Sequence, residues 1–167
     1  MLKGQDIAVC IRLALPGEAP STYPALGAAL GISASEAHAA VKRSARAGLI
    51  DADTRRVRRG ALLELLTHAT KFFFPPVWTT LTRGVPTAHG APPLREVILD
   101  DAPPPVWPHP RGTVRGIGLR PIYPSVPDAA LADPVFHEWM ALLDAIRSGA
   151  ARERELAVRL LTERLSR

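Results

Sequence analysis

The sequence predicts a mainly α-helical fold with a small β wing. Three observations carry this expectation. Apolar residues recur at three- and four-residue spacing through most of residues 1–74 and again through 133–167, with capping residues and glycine stops between the runs. A turn-forming Asp51-Ala52-Asp53-Thr54 separates Leu49-Ile50 from Val57, as a short two-stranded wing requires. Residues 75–127 hold thirteen of the seventeen prolines, a density that argues against helices and central strands and for an irregular wrapping segment.

Taken in order, Leu2 to Leu15 reads as a first helix, with Ile7, Ile11 and Leu15 on one side and Pro16-Gly17 as its stop. A second helix, Tyr23 to Leu30, carries Pro24 in its first turn, where a missing N–H costs nothing, and ends at Gly31. Ser33 opens a third helix running to about Ala47, and Ser33-Ala34-Ser35-Glu36 matches a reciprocal capping box. Residues 51–60 predict a tight hairpin or a degenerate loop in its place. Residues 61–74 predict a fourth helix, with Leu62, Leu65, Leu66, Ala69 and Phe73 as a stripe broadened by Leu63 and Phe72, buried on more than one side. Arg95 to Leu99 and Thr113 to Ile122 are the candidate strands. Asp133-Pro134 starts a helix carrying Val135, Trp139, Leu142, Leu143 and Ile146, and Ala150 to Ser166 forms the last.

Residues 24–50, PALGAALGISASEAHAAVKRSARAGLI, resemble the winged helix-turn-helix core of bacterial transcriptional regulators of the MarR-like and related families. The Leu-Gly-Ile-Ser turn, the Ser-x-x-Glu box, the apolar Ala37, Ala40 and Val41, and the Ala47-Gly48-Leu49 exit carry the likeness, which covers the N-terminal third. Ser44 departs from it, standing where such helices carry a large aliphatic residue. The resemblance implies a protein that binds double-stranded DNA.

Charge supports the same expectation. Residues 1–60 carry nine Lys and Arg against five acids, whereas residues 61–167 carry twelve against eleven. The excess is concentrated between Lys42 and Arg59, and a focused positive patch attracts a polyanion. With Ala37, Ala40, Val41 and Ser44 inward, the third helix offers Ser33, Ser35, His38, Ala39, Lys42, Arg43 and Arg46 for base and phosphate contacts. Arg55, Arg56, Arg58 and Arg59 of the wing suit phosphate or the minor groove.

The expected organisation is a DNA-binding domain at 1–60, a connecting helix at 61–74, the proline-rich segment at 75–127, and a helical pair at 128–167 forming a dimer or partner interface. A transcriptional regulator, a repressor acting as a homodimer, is the leading reading. The alternative is an interaction module, such as an antitoxin or accessory subunit, gripping a protein partner through its C-terminal part. The lone Cys10 excludes an internal disulfide and a thiolate cage, and the histidines 38, 68, 89, 109 and 137 are scattered. No metal, cofactor or enzymatic activity is expected. Phe72, Phe73, Phe74, Trp78 and Trp107 are expected in the core, the other option being an effector pocket. No apolar run reaches the ~20 residues that span a bilayer. Asp6 and Arg12 interrupt the apolar start, so no signal peptide is expected and the cytoplasm is the default compartment.

Overall fold

The structure is a computed structural model describing residues 1–167. Helices dominate: α1 (Gly4–Ala14), α2 (Tyr23–Leu30), α3 (Ala34–Arg46), α4 (Arg59–Glu64) continuing through a π-helical turn Leu65–Ala69 into α5 (Thr70–Phe73), then α6 (Val126–Ala132), α7 (Pro134–Ser148) and α8 (Ala151–Leu165). Strands β1 (Trp78–Pro86), β2 (Pro105–Pro108) and β3 (Val114–Leu119) lie between α5 and α6. No helix is long and apolar enough to cross a membrane.

One contiguous apolar core joins elements from both halves of the chain. Its centre is α1 and α7. Ile7, Ala8, Val9, Cys10 and Ile11 are successive and all buried, which a helix with a solvent face cannot achieve. α7 buries every residue from Met140 to Arg147. It is therefore the interior partner of α1 and α8, and from Met140 to Arg147 its apolar periodicity reports packing within the chain.

The small sheet is not the wing. β1 pairs antiparallel with both β2 and β3, and β2 pairs parallel with β3, so three short strands close on one another. Such a tight closure needs bare backbone at the contacts: a Cβ on Gly116 would fall 2.0 Å from the Pro104 carbonyl oxygen, and one on Gly84 would fall 2.1 Å from that of Trp107. Thr113 to Ile122 is thus a strand over its middle, but Arg95 to Leu99 is not. There Leu94 and Ile98 are both buried, and the Ile98 N–H donates to the Leu94 carbonyl at 2.8 Å, so the segment coils. β1, β2 and α6 are additional to the expectation; α6 carries Pro127 in its first turn, where proline is tolerated.

A buried polar node ties the proline-rich segment to α7. Asp144 accepts from the Trp107 indole N–H at 2.7 Å and the Thr87 hydroxyl at 2.8 Å, and pairs with Arg147. Arg147 also donates to the Phe74 carbonyl at 2.8 Å. Burial pushes the Asp144 carboxyl above the usual range, with the Arg147 charge and these donors opposing it. The segment is ordered because its backbone and side-chain polar groups find partners on α7 and on each other.

The fourth helix shows why a regular stripe misleads. The Thr70 N–H donates to the Leu65 carbonyl, a bond one residue longer than the α-helical one. That extra residue turns everything after it by about 100°. Leu62, Leu66 and Thr70 are buried, while Phe72 and Phe73 stand 72% and 70% exposed. Of the aromatics expected in the core, Trp107 is fully buried, Phe74 is half-buried, and Phe72, Phe73 and Trp78 point to solvent.

Candidate nucleic-acid interface

The turn between α2 and α3 is built as its sequence predicts. Gly31 adopts φ 67°, the left-handed conformation that glycine tolerates, and the Ile32 N–H returns to the Gly27 carbonyl at 3.0 Å. Ser33 caps α3: its hydroxyl accepts the Glu36 N–H at 3.1 Å, and Glu36 accepts the Ser33 N–H at 2.8 Å. These Ser33 bonds hold the Glu36 carboxyl below its ordinary pKa.

Three faces of α3 have separate roles. Ala37, Ala40, Val41 and Ser44 are buried inward. The Ser44 hydroxyl lies against the Cys10 thiol of α1, and burial pushes that thiol up to about 12. The second face, at Glu36 and Arg43, turns to α1. Arg43 Nε donates to both oxygens of the fully buried Asp6, its Nη2 reaches Asp6 Oδ1 at 2.7 Å, and it donates to Gln5 at 3.1 Å. The third face is exposed and carries Ser35, His38, Lys42 and Arg46, with Ala39 half-buried along it.

The Asp51–Val57 loop is a minimal hairpin closed by one bridge, Ile50 with Val57. Asp51 Oδ1 accepts from the Thr54 N–H and hydroxyl, each at 2.9 Å, and from the Asp53 N–H. Those donors hold its carboxyl below the ordinary range. Arg55 sits at φ 58° with its guanidinium 5.3 Å from the centre of the Tyr23 ring and donates to the Ser21 carbonyl at 3.0 Å. The His38 ring meets the same tyrosine edge-on at 4.9 Å. Tyr23 therefore links loop, α2 and α3, a role that no spacing in the sequence announces. Between α2 and the loop runs a cleft of about 360 Å³, lined by Leu13, Thr22, Tyr23, Arg55, Arg56 and Arg59 among others and by no acidic residue.

Among the eleven residues that the sequence nominates, Ser35, His38, Ala39, Lys42 and Arg46 share the outer side of α3. Arg55, Arg56 and Arg58 project from or beside the loop, Arg58 with Asp51 at 3.5 Å and Arg56 exposed. Three are otherwise engaged. Ser33 is committed to the cap, Arg43 to Asp6, and half-buried Arg59 to the Ala14 carbonyl at 3.0 Å. Each of these contacts lies within the fold: the Ser33 hydroxyl accepts at the cap, and Arg43 and Arg59 donate from the guanidinium, as Arg55 does to the Ser21 carbonyl. Compared with models of known protein families, with curated proteins and with solved structures, the chain matches none.

Proposed function

We propose that α2, α3 and the Asp51–Val57 loop work as a winged helix-turn-helix and that the chain is a homodimeric transcriptional repressor binding double-stranded DNA. The observation that carries this reading is the outer side of α3. Ser35, His38, Lys42 and Arg46 are exposed on a helix anchored along its other two faces. The loop arginines flank them.

An α-helix fits the major groove, about 12 Å wide, and small residues near its start allow close approach to base edges. Ser35 and His38 occupy that start. Lys42, Arg46 and Arg56 supply charge for phosphates, which fixes register without reading sequence. Arg55, braced on Tyr23, is preset for a phosphate or for the minor groove.

Binding to the chain's own promoter fragment, followed by anisotropy over a salt series, tests this. Each neutralised phosphate contributes about 0.9 to the slope of log K against log salt, so Arg56→Ala should lower the slope by about one unit on every sequence. Ser35→Ala or His38→Ala should instead narrow the gap between operator and random DNA. Salt-insensitive or absent binding by the folded protein rules the reading out.

A second reading, an interaction module such as an antitoxin or accessory subunit, draws on the exposed Phe72, Phe73 and Trp78. A different protein co-purifying in stoichiometric amount would select it.

A further inference from the structure

The cleft between α2 and the Asp51–Val57 loop combines an apolar floor with a basic rim. Leu13, Ala14, Leu26, Val41 and Val57 make the floor, and Leu26 and Val41 belong to the core. Tyr23, Arg55, Arg56 and Arg59 stand at the rim. At about 360 Å³ the cleft falls at the small end of the range for small-molecule sites, about 300–1,000 Å³. The acids nearby in sequence stay out of it. Glu18, Asp51 and Asp53 are absent from its lining, and Asp51 is taken up by the Asp53 and Thr54 N–H groups and by Arg58.

The three arginines reach the cleft in different ways. Arg59 donates to the Ala14 carbonyl and Arg55 to the Ser21 carbonyl, each at 3.0 Å, and both carbonyls belong to residues that line the cleft. A guanidinium carries more N–H groups than one carbonyl accepts, so both keep donors to spare. The exposed Arg56 guanidinium has no hydrogen bond or ion pair within the fold, its one contact being made by the backbone N–H. Arg55 takes its place from a φ of 58°, a conformation that costs a side chain of this size, and such residues cluster where ligands are clamped.

We propose that the cleft binds a small amphiphilic anion and that its occupancy competes with DNA. A carboxylate or phosphate head is taken by Arg55, Arg56 and Arg59, whose planar forks match either, and a short apolar body lies on Leu13, Leu26, Val41 and Val57. A DNA phosphate suits the same arginines, but a duplex has no apolar chain to lay against Leu26 and Val41. The floor therefore calls for a different ligand. Arg55 and Arg56 also belong to the proposed DNA contacts, and Tyr23 touches both Arg55 and His38, so an occupied cleft draws on groups that the duplex needs. The competition rests on the DNA-binding reading; the binding of the anion does not.

Isothermal titration calorimetry of the full chain without DNA tests the site, with octanoate, octyl phosphate, acetate, inorganic phosphate and octylamine as probes. Octanoate or octyl phosphate should bind at one equivalent, the tighter of the two identifying the head. Acetate and inorganic phosphate, which lack the body, should bind at least about tenfold more weakly than their octyl counterparts, and octylamine should not bind. Arg56→Ala, which breaks no side-chain contact of the fold, should weaken the octyl anions about tenfold or more. Arg55→Gly, which keeps the left-handed backbone, should do likewise. Arg159→Ala, an equal loss of charge on exposed α8 surface, should leave them unchanged. A saturating octyl anion should weaken DNA binding by the wild type about fivefold or more. The site is overturned if neither octyl anion binds at one equivalent, if Arg56→Ala binds them as the wild type does, or if Arg159→Ala weakens them equally. Inorganic phosphate binding as tightly as octyl phosphate overturns it too, because the floor then takes no part. DNA binding indifferent to a filled cleft overturns the competition. An anion that binds as described to a chain with no affinity for DNA removes the repressor reading alone.

Discussion

Replacing Arg43 with alanine should unfold the protein more readily without touching the DNA contacts proposed for α3 and the loop. Asp6 is fully buried and receives three short contacts from the Arg43 guanidinium, its other donor being the Lys3 N–H at 2.9 Å. Removing the arginine leaves a buried carboxylate with one hydrogen bond and no counter-charge. Breaking such a pair costs about 3–5 kcal/mol, and the partial exposure of Arg43 places the loss near about 3 kcal/mol. For a chain of this length that lowers Tm by about 6–12 °C. Denaturant unfolding measures the cost directly. Asp6→Ala combined with Arg43→Ala should lose less than the sum of the single changes, by about 1–3 kcal/mol of coupling. At a temperature where the variant stays folded, the salt slope of DNA binding should equal that of the wild type. A stable Arg43→Ala protein whose slope falls by about one unit would show that Arg43 contacts phosphate and would refute the reasoning.

Further outcomes follow from the core and the sheet. Asp144→Ala should cost about 3–5 kcal/mol, seen in denaturant unfolding, because it strands Arg147 and removes the acceptor of Trp107 and Thr87. Thr87→Val should cost only about 1 kcal/mol. Cys10 should resist thiol reagents in the native state at pH 8 and react on unfolding. Its thiol ionises at about 12 in the fold against 9.0 when unperturbed, so above pH 9 the native state holds a proton that the unfolded state has lost. Stability therefore falls as pH rises from 9 towards 12, by about 1.4 kcal/mol per unit from this group, and the difference between wild type and Cys10→Ala isolates it. Gly116→Ala should disrupt the sheet, because its Cβ meets backbone, while Gly60→Ala in open space on α4 should stabilise by about 0.5–1 kcal/mol. Thermal unfolding of the two variants compares them.

Local chemistry in the sequence proved the most legible. The Gly31 turn, the Ser33 cap and the Asp133 cap of α7 form as their side chains dictate, since each depends on atoms within a few residues. The proline-rich segment was read poorly. β1 and β2 owe their pairing to close backbone approaches and to the Asp144 node, partners dozens of residues away that no local period reveals. The interface residues divide in the same manner. That Lys42 and Arg46 face outward follows from helical geometry. That Arg43, one position from Lys42, belongs to α1 depends on a carboxylate 37 residues earlier. Nor does composition distinguish the buried Trp107 from the exposed Trp78. Only the π-helical turn and the strand register decide which aromatics reach solvent.

Because α1 has almost no outward side, the chain has no seam where the first 60 residues could be cut free. α1, with Ile7 and Ile11, packs against both α3 and α7 within one apolar core. Excising residues 1–60 would bare that helix to water, and the fragment should aggregate rather than retain α3. Unfolding of the whole protein should accordingly be a single transition, with the putting in order of α3 bound to that of α7. A contact that tightens the far side of the molecule then adds to the occupancy of folded α3 by mass action alone, with no relay of moving parts.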